Sequence, residues 1–325
     1  MSIVSLWTLQ LMMFMMMAAG MILTKVGILK SEGKVMMTDL VLYFLLPCNI
    51  INSFRMEFSF DILIRFATLL VVSCLVMVLS YVFSKTLYNK SETGIKKVMQ
   101  YSTIVSNSGF LGLPIAQGMF GAEGLMYGSI YIIPMRIMMW TAGISCFNED
   151  AETDMKAVAK KLALHPCIVA VYIGFFLMFF EPSLTDWMNS LGETNLFGTA
   201  LIMVSTALDK GVRSAGGCVT AMTMLLIGIM MSEIDPKTMI NKDTIKISII
   251  RLILIPGIAF IGCRIFGVNN LVTGVSVVLA GMPAGSTAAM LAAKYNCDYV
   301  FGTKCVVVTT LLSMLTIPIW GMVLI

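Results

Sequence analysis

Ser106-Asn107-Ser108-Gly109-Phe110-Leu111-Gly112-Leu113-Pro114 lies in the middle of an apolar run that extends from Lys97 to Gly121. A counterpart, Ala280-Gly281-Met282-Pro283-Ala284-Gly285-Ser286-Thr287, lies midway between Leu271 and Tyr295. Proline has no N–H and clashes with the turn before it, and glycine weakens helical order. If these runs cross a bilayer, each stretch leaves backbone groups unpaired at mid-membrane depth. Such exposure is tolerated only where protein or a watery cavity satisfies those groups. The two breaks share a similar exit, Phe120-Gly121-Ala122-Glu123 after the first and Tyr295-Asn296-Cys297-Asp298 after the second. One break alone reads equally well as a proline kink, the reading given to Pro47, Pro134, Pro256 and Pro318. Two at matching positions decide the fold.

Composition makes these runs membrane spans. The chain has 325 residues, 58% of them hydrophobic and 12% charged, with mean hydropathy +0.91, where a soluble domain carries roughly 25% charged residues. A helix needs about 20 apolar residues to cross a bilayer core of about 30 Å. Such runs recur at about 4–24, 35–54, 62–84, 97–120, 123–147, 165–180, 214–232, 244–264, 271–294 and 299–324. The polar alternation of a β-barrel is missing from stretches such as Leu11–Gly20. The fold class is all-α, a polytopic membrane bundle of about ten helices. The segment 183–210 holds apolar Leu196–Leu208 but is broken by charge and glycine; it is read as an interfacial amphipathic stretch. The first span lacks a basic n-region and a small-residue cleavage site and is read as retained. Eight scattered cysteines without a C-x-x-C pair, and thirty methionines clustered inside spans as at Met12–Met17, read as packing residues.

Lys and Arg set the expected orientation. Fourteen lysines between Lys25 and Lys294 fall on one side, against Arg55, Arg65, Lys210, Arg213 and Arg264 on the other. This places both termini outside the cell membrane and the polar connection Asn148–Lys161 in the cytoplasm. The net charge of +4 reflects topology, not nucleic-acid binding. The chain divides into 1–147, a first five-helix repeat, 148–163, a cytoplasmic connecting loop, and 164–325, a second repeat. An odd number of spans per unit turns the second copy upside down, so the broken fourth and ninth helices cross at the midplane in the inverted-repeat plan of many secondary transporters.

After each break a half-helix begins, with free N–H groups and the positive end of its dipole facing the centre, a natural site for an anion. Arg136 lies about 13 residues from Glu123 and 11 from Phe147, or roughly 15–20 Å from either face, and ionisable groups at that depth are costly and usually functional. Arg251, Lys304 and Arg65 lie nearer the faces and read as snorkelling side chains. No Asp or Glu falls near a midplane, Asp39 being the nearest. Fixed positive charge suits carboxylates. The candidate substrate site is Asn107, Ser108, Gly109, Gly112, Pro114, Met282, Pro283, Ala284, Gly285, Ser286 and Arg136. The single histidine, His165, at the edge of the sixth span, reads as structural. With no paired intramembrane Asp and no base beside Ser286, the chain does not read as an enzyme.

At Ser106–Ile115 and over Met282-Pro283-Ala284, Leu291-Ala292 and Tyr295 the sequence resembles the auxin efflux carrier family, specifically its short bacterial members described as malate permeases. Thr309-Thr310-Leu311-Leu312-Ser313, Thr316-Ile317-Pro318, Leu46-Pro47 and Leu226-Ile227-Gly228 fit as well. The resemblance implies two inverted five-helix repeats, a scaffold and a transport subdomain that move relative to each other, and a small organic anion as substrate, malate or an auxin-like acid. It makes Asn107 the polar residue of the first crossover, with Pro114 and Pro283 marking the breaks. The long cytoplasmic loop of the plant carriers is absent, and Arg136 has no place in the family pattern. Beyond the substrate and the bilayer, the expected partners are a coupling ion, H⁺ or Na⁺, and a second copy in a homodimer; no other cofactor is expected. The neutral oxygens of Ser106, Asn107, Ser108, Ser286 and Thr287 keep a sodium-coupled symporter of the bile-acid type as the alternative, and an anion channel as a further one.

Overall fold

The computed structural model describes residues 3–30, 33–55, 59–89, 91–147, 154–192, 196–232, 239–295 and 297–324. Among these residues the regular structure is helical, apart from one isolated pair of extended residues. The elements are α1 Ile3–Lys25, α2 Gly33–Ser53, α3 Phe60–Thr86, α4 Thr93–Ile104, α5 Ser108–Phe147, α6 Met155–Ala163 and α7 Pro166–Gly192. The remainder are α8 Leu196–Gly217, α9 Val219–Ser232, α10 Lys242–Ile265, α11 Asn270–Ala280, α12 Thr287–Lys294 and α13 Tyr299–Leu324. Polar residues start several of them. Asn241 and Thr244 form a reciprocal capping box on α10, and Asp154 caps α6 through the N–H groups of Lys156 and Ala157. The helices carry apolar residues nearly all round. Val71 and Leu75 of α3 and Ile261 of α10 are exposed, as expected of a surface solvated by lipid.

Among the described residues, seven helical stretches are long and apolar enough to cross a membrane, or eight if α6 and the start of α7, bent by 56°, count as one. The expected ten include elements that fail this test for physical reasons. The halves α4, α11 and α12 have 12, 11 and 8 residues, which at about 1.5 Å per residue are each too short to cross. At 40 residues, α5 is twice the length one crossing needs. It turns at Gly121, whose φ of 70° and ψ of −155° are readily adopted only by glycine.

The expected interfacial stretch 183–210 takes a different form. Helix α7 runs on to Gly192, and α8 packs against α2 and α7. The Asn52 amide donates to the Val212 carbonyl at 3.1 Å, and Arg55 forms an ion pair with Asp209. Only a turn at Cys218 separates α8 from α9, so Gly198–Ser232 forms one apolar run. In the expected connecting loop, residues 148–153 lie outside the described residues, and Met155–Ala163 is a helix.

Glycines and prolines set the close contacts. A Cβ on Gly228 of α9 would stand 2.1 Å from the Met17 carbonyl oxygen of α1, and one on Gly20 2.4 Å from the Leu225 carbonyl oxygen, so these two helices meet backbone to backbone. Pro47 and Pro256 follow π-helical turns at Val41–Leu45 and Ile250–Leu254, which absorb the missing N–H without ending the helix. The Leu252 carbonyl, four residues before Pro256, accepts from Trp320 Nε1 of α13 at 2.9 Å.

Candidate functional site

The two interruptions meet. Helix α4 ends at Ile104, and Val105 is extended (φ −103°, ψ 117°). Helix α11 ends at Ala280, and Ser106 pairs with Ala284 in a two-residue antiparallel bridge. The Asn107 N–H donates to the Pro283 carbonyl at 2.8 Å, and the Gly285 N–H to the Val105 carbonyl at 3.0 Å. Backbone groups that no helix can satisfy therefore satisfy each other. Side chains tighten the crossing. Ser108 Oγ donates to the Leu279 carbonyl at 3.0 Å, Thr309 Oγ1 of α13 accepts from the Ala284 N–H at 3.0 Å, and Tyr101 OH shares a 2.8 Å bond with Thr287 Oγ1.

Arg251 corrects the snorkelling reading. It is fully buried, and its guanidinium donates through Nε to the Met282 carbonyl at 3.1 Å and through Nη1 to the Thr103 carbonyl at 3.0 Å. These carbonyls lie at the C-terminal ends of α11 and α4, the negative ends of the two half-helix dipoles. Burying a charge is expensive unless hydrogen bonds compensate it, and here the compensation is the crossover itself. Arg65 forms an i, i+4 ion pair with Asp61.

The positive ends point elsewhere. A cavity of about 160 Å³ lies where the N-termini of α5 and α12 begin, lined on that side by Ser106, Asn107, Gly109, Gly285, Ser286 and Thr287. The same cavity is lined by Arg136, Trp140 and His165 and by Leu42 and Leu46 of α2. Arg136 is 6% exposed, its Nη1 lies 2.6 Å from His165 Nε2, and its Nε has no hydrogen-bond partner. A Cβ on Gly109 would stand in ordinary contact with Arg136 Nη2, at 3.6 Å, so the first break and the guanidinium are neighbours. Among the described residues, the lining includes no Asp or Glu.

Of the residues selected from sequence, Asn107, Gly109, Gly285, Ser286 and Arg136 come together on this cavity. The others do not line it. Ser108 is buried with its hydroxyl on Leu279, and Gly112 packs against Leu279 and Met282, where a Cβ would come within 2.7 Å. Pro114 is buried in α5, Met282 and Ala284 are fully buried, and Pro283 contributes its carbonyl to Asn107. His165, read from sequence as structural, is on the cavity wall. Its position just before Pro166, where a helix starts, was the available signal. A wider groove of about 740 Å³ between α3 and α10 is lined by Leu75, Ile258, Phe266 and other apolar residues and holds no charged group to grip a polar solute.

The membrane transport protein family matches residues 7–321. An uncharacterised transporter of Methanocaldococcus jannaschii is 25% identical over 305 residues, covering 92% of both chains. An uncharacterised transporter of Methanothermobacter thermautotrophicus is 23% identical over 308 residues, 94% of both.

Proposed function

The chain belongs to the membrane transport protein family, that of the auxin efflux carriers, and from that premise we propose that it is a secondary transporter of small organic anions working by alternating access. The substrates are carboxylates such as malate or auxin-like acids. The observation that carries this reading is the cavity at the crossover, where two half-helix N-termini and Arg136 face a space with no acidic residue among its described lining. Each of these features favours negative charge, and their convergence on one small volume suits a carboxylate.

The backbone bridge between Ser106 and Ala284 supports two inverted five-helix repeats, 1–147 and 164–325, joined through 148–163. On that count α4 with the first part of α5 makes the fourth crossing, and α11 with α12 the ninth. The lysine distribution favours a cell-membrane protein with both ends outside. Arg251 occupies the Thr103 and Met282 carbonyls at this crossover, so a coupling sodium ion would have to use the side-chain oxygens of Ser106, Asn107, Ser286 and Thr287 on the cavity, beside the positive charge of Arg136. Uptake of radiolabelled malate into proteoliposomes tests the reading: saturation, stimulation by malate on the opposite side, and equal rates with and without a sodium gradient are expected. Ohmic anion current without trans-stimulation would make the protein a channel, and strict sodium dependence would make it a symporter.

A further inference from the structure

His165 carries a hydrogen-bond conflict that points to a missing partner. It precedes Pro166, and as the second residue of α7 Cys167 has an N–H that its own helix cannot satisfy. That N–H donates to His165 Nδ1 at 3.2 Å. On the other side of the ring, Nε2 lies 2.6 Å from Arg136 Nη1. A guanidinium is permanently protonated and has only donors, whereas a neutral imidazole has one N–H and one acceptor nitrogen. Both ring nitrogens cannot accept at once. The Cys167 N–H is fixed by the helix start and depends on Nδ1, while Arg136 has other donors to turn. Whichever nitrogen carries the ring proton, one of these two contacts sets donor against donor; with the proton on Nε2 it is the contact facing the guanidinium, and an acceptor entering between the two nitrogens relieves it. Arg136 Nε is buried and unpartnered beside them. Buried donors are rarely left without acceptors, and Arg136 and His165 line the same cavity as Gly109 and Ser286. A second cation, Lys161, stands by this wall, its ammonium 5.1 Å from the centre of the Trp140 ring.

We propose that His165 is a substrate-binding residue which, neutral and with its proton on Nε2, donates together with the Arg136 guanidinium to one carboxylate group of the transported anion. This rests on the reading of the chain as an organic-anion carrier. The carboxylate enters between the two donors, the contact between them opens, and Nδ1 keeps its bond to Cys167 throughout. The remainder of the anion extends toward Asn107 and the N-termini of α5 and α12. His165 thus does two jobs with its two nitrogens, holding the start of α7 with one and the substrate with the other.

The chain has one histidine, so protein labelled with ¹⁵N-histidine reports a single imidazole. Full-length protein in nanodiscs is titrated with L-malate while its nitrogen shifts and its thermal stability are followed. An Nε2–H tautomer that shifts mainly at Nε2 as malate raises the apparent stability is the expected result. An Nδ1–H tautomer, or shifts unchanged at malate concentrations that saturate the stabilisation, overturns the proposal while leaving the anion-carrier reading standing. Stabilisation by no member of a mono- and dicarboxylate panel overturns both. Two variants separate the ring's jobs. In His165→Asn the amide oxygen still caps Cys167 but no donor reaches the cavity, so unliganded stability should persist while malate binds about ten-fold or more weaker, the loss of one hydrogen bond to a charged acceptor. In His165→Gln a donor regains that reach, and affinity should return to within about three-fold of the parent. His165→Asn protein that binds malate as tightly as the parent also overturns the proposal.

Discussion

Asn107 contributes to the crossover with its backbone and to the cavity with its side chain, which makes the two roles separable. Its N–H bonds Pro283, and its carbonyl accepts from Leu111 and Gly112 at 3.0 and 3.2 Å; alanine keeps all three bonds. Asn107→Ala should therefore lower malate uptake in proteoliposomes by about ten-fold or more, the worth of one bond to a charged acceptor, with normal insertion and melting. Uptake equal to the parent's would move the site away from the first break. Arg136→Gln removes the only charge among the described residues of the cavity wall and should weaken anion binding more than it weakens the fold; a variant that cannot be extracted folded would make Arg136 structural instead. Arg251 is the converse case, a buried cation that touches no part of the cavity. Arg251→Met leaves the Thr103 and Met282 carbonyls without their donor, at about 1–3 kcal/mol for each unsatisfied group, and a clear drop in melting temperature in detergent is expected. Arg251→Lys should recover only part of that loss, since an ammonium lacks the planar fork that spans two acceptors. A melting temperature unchanged in Arg251→Met would refute the clamp.

The interruptions were legible in the sequence because proline and glycine act locally: Gly109, Gly112, Pro114, Pro283 and Gly285 disturb the backbone where they stand. What was not legible depends on partners far along the chain. Arg251 finds Thr103 at a separation of 148 residues, and His165 finds Arg136 at 29; depth along a span gives neither pairing. The same holds for α1 and α9, whose contact rests on Gly20 and Gly228 with no pattern in either helix to announce it. Small residues let membrane helices approach closely, where packing and not hydrophobicity drives association. Gly228→Ala should consequently be costly although alanine is the better helix former, because the methyl group meets the Met17 carbonyl oxygen at 2.1 Å and the helices must separate. Gly211 of α8 is the control: a Cβ there meets nothing within 4 Å, and Gly211→Ala should be neutral or stabilising by up to about 1 kcal/mol. Fluorescence-detected size exclusion after a temperature series measures both, and equal melting of the two variants would mean that the α1–α9 contact can relax.

At the scale of the molecule, the crossover sorts the fields of four half-helix ends: two negative ends hold Arg251 and two positive ends face the cavity. That sorting needs α4 and α11 to enter the bilayer from opposite sides, which in turn depends on how many crossings separate them. Parity tests this. Length and hydropathy alone give seven crossings, or eight with α6 and α7 as one, and the inverted repeat gives ten. Glu92, before α4, and Phe266, after α10, are both exposed. Ten crossings put them on opposite sides and the two chain ends on the same side. Eight put Glu92 and Phe266 on one side, because α5, the α6–α7 pair, Gly198–Ser232 and α10 intervene as four crossings, and seven put the chain ends on opposite sides. In a cysteine-free background, Phe266→Cys should react with an impermeant maleimide on intact cells and Glu92→Cys only after permeabilisation, while epitopes at both ends should be accessible from outside. Labelling of both cysteines from one side would rule out the inverted repeat, and the fully reversed pattern would keep the repeat but turn the molecule over, against the direction in which its lysines point.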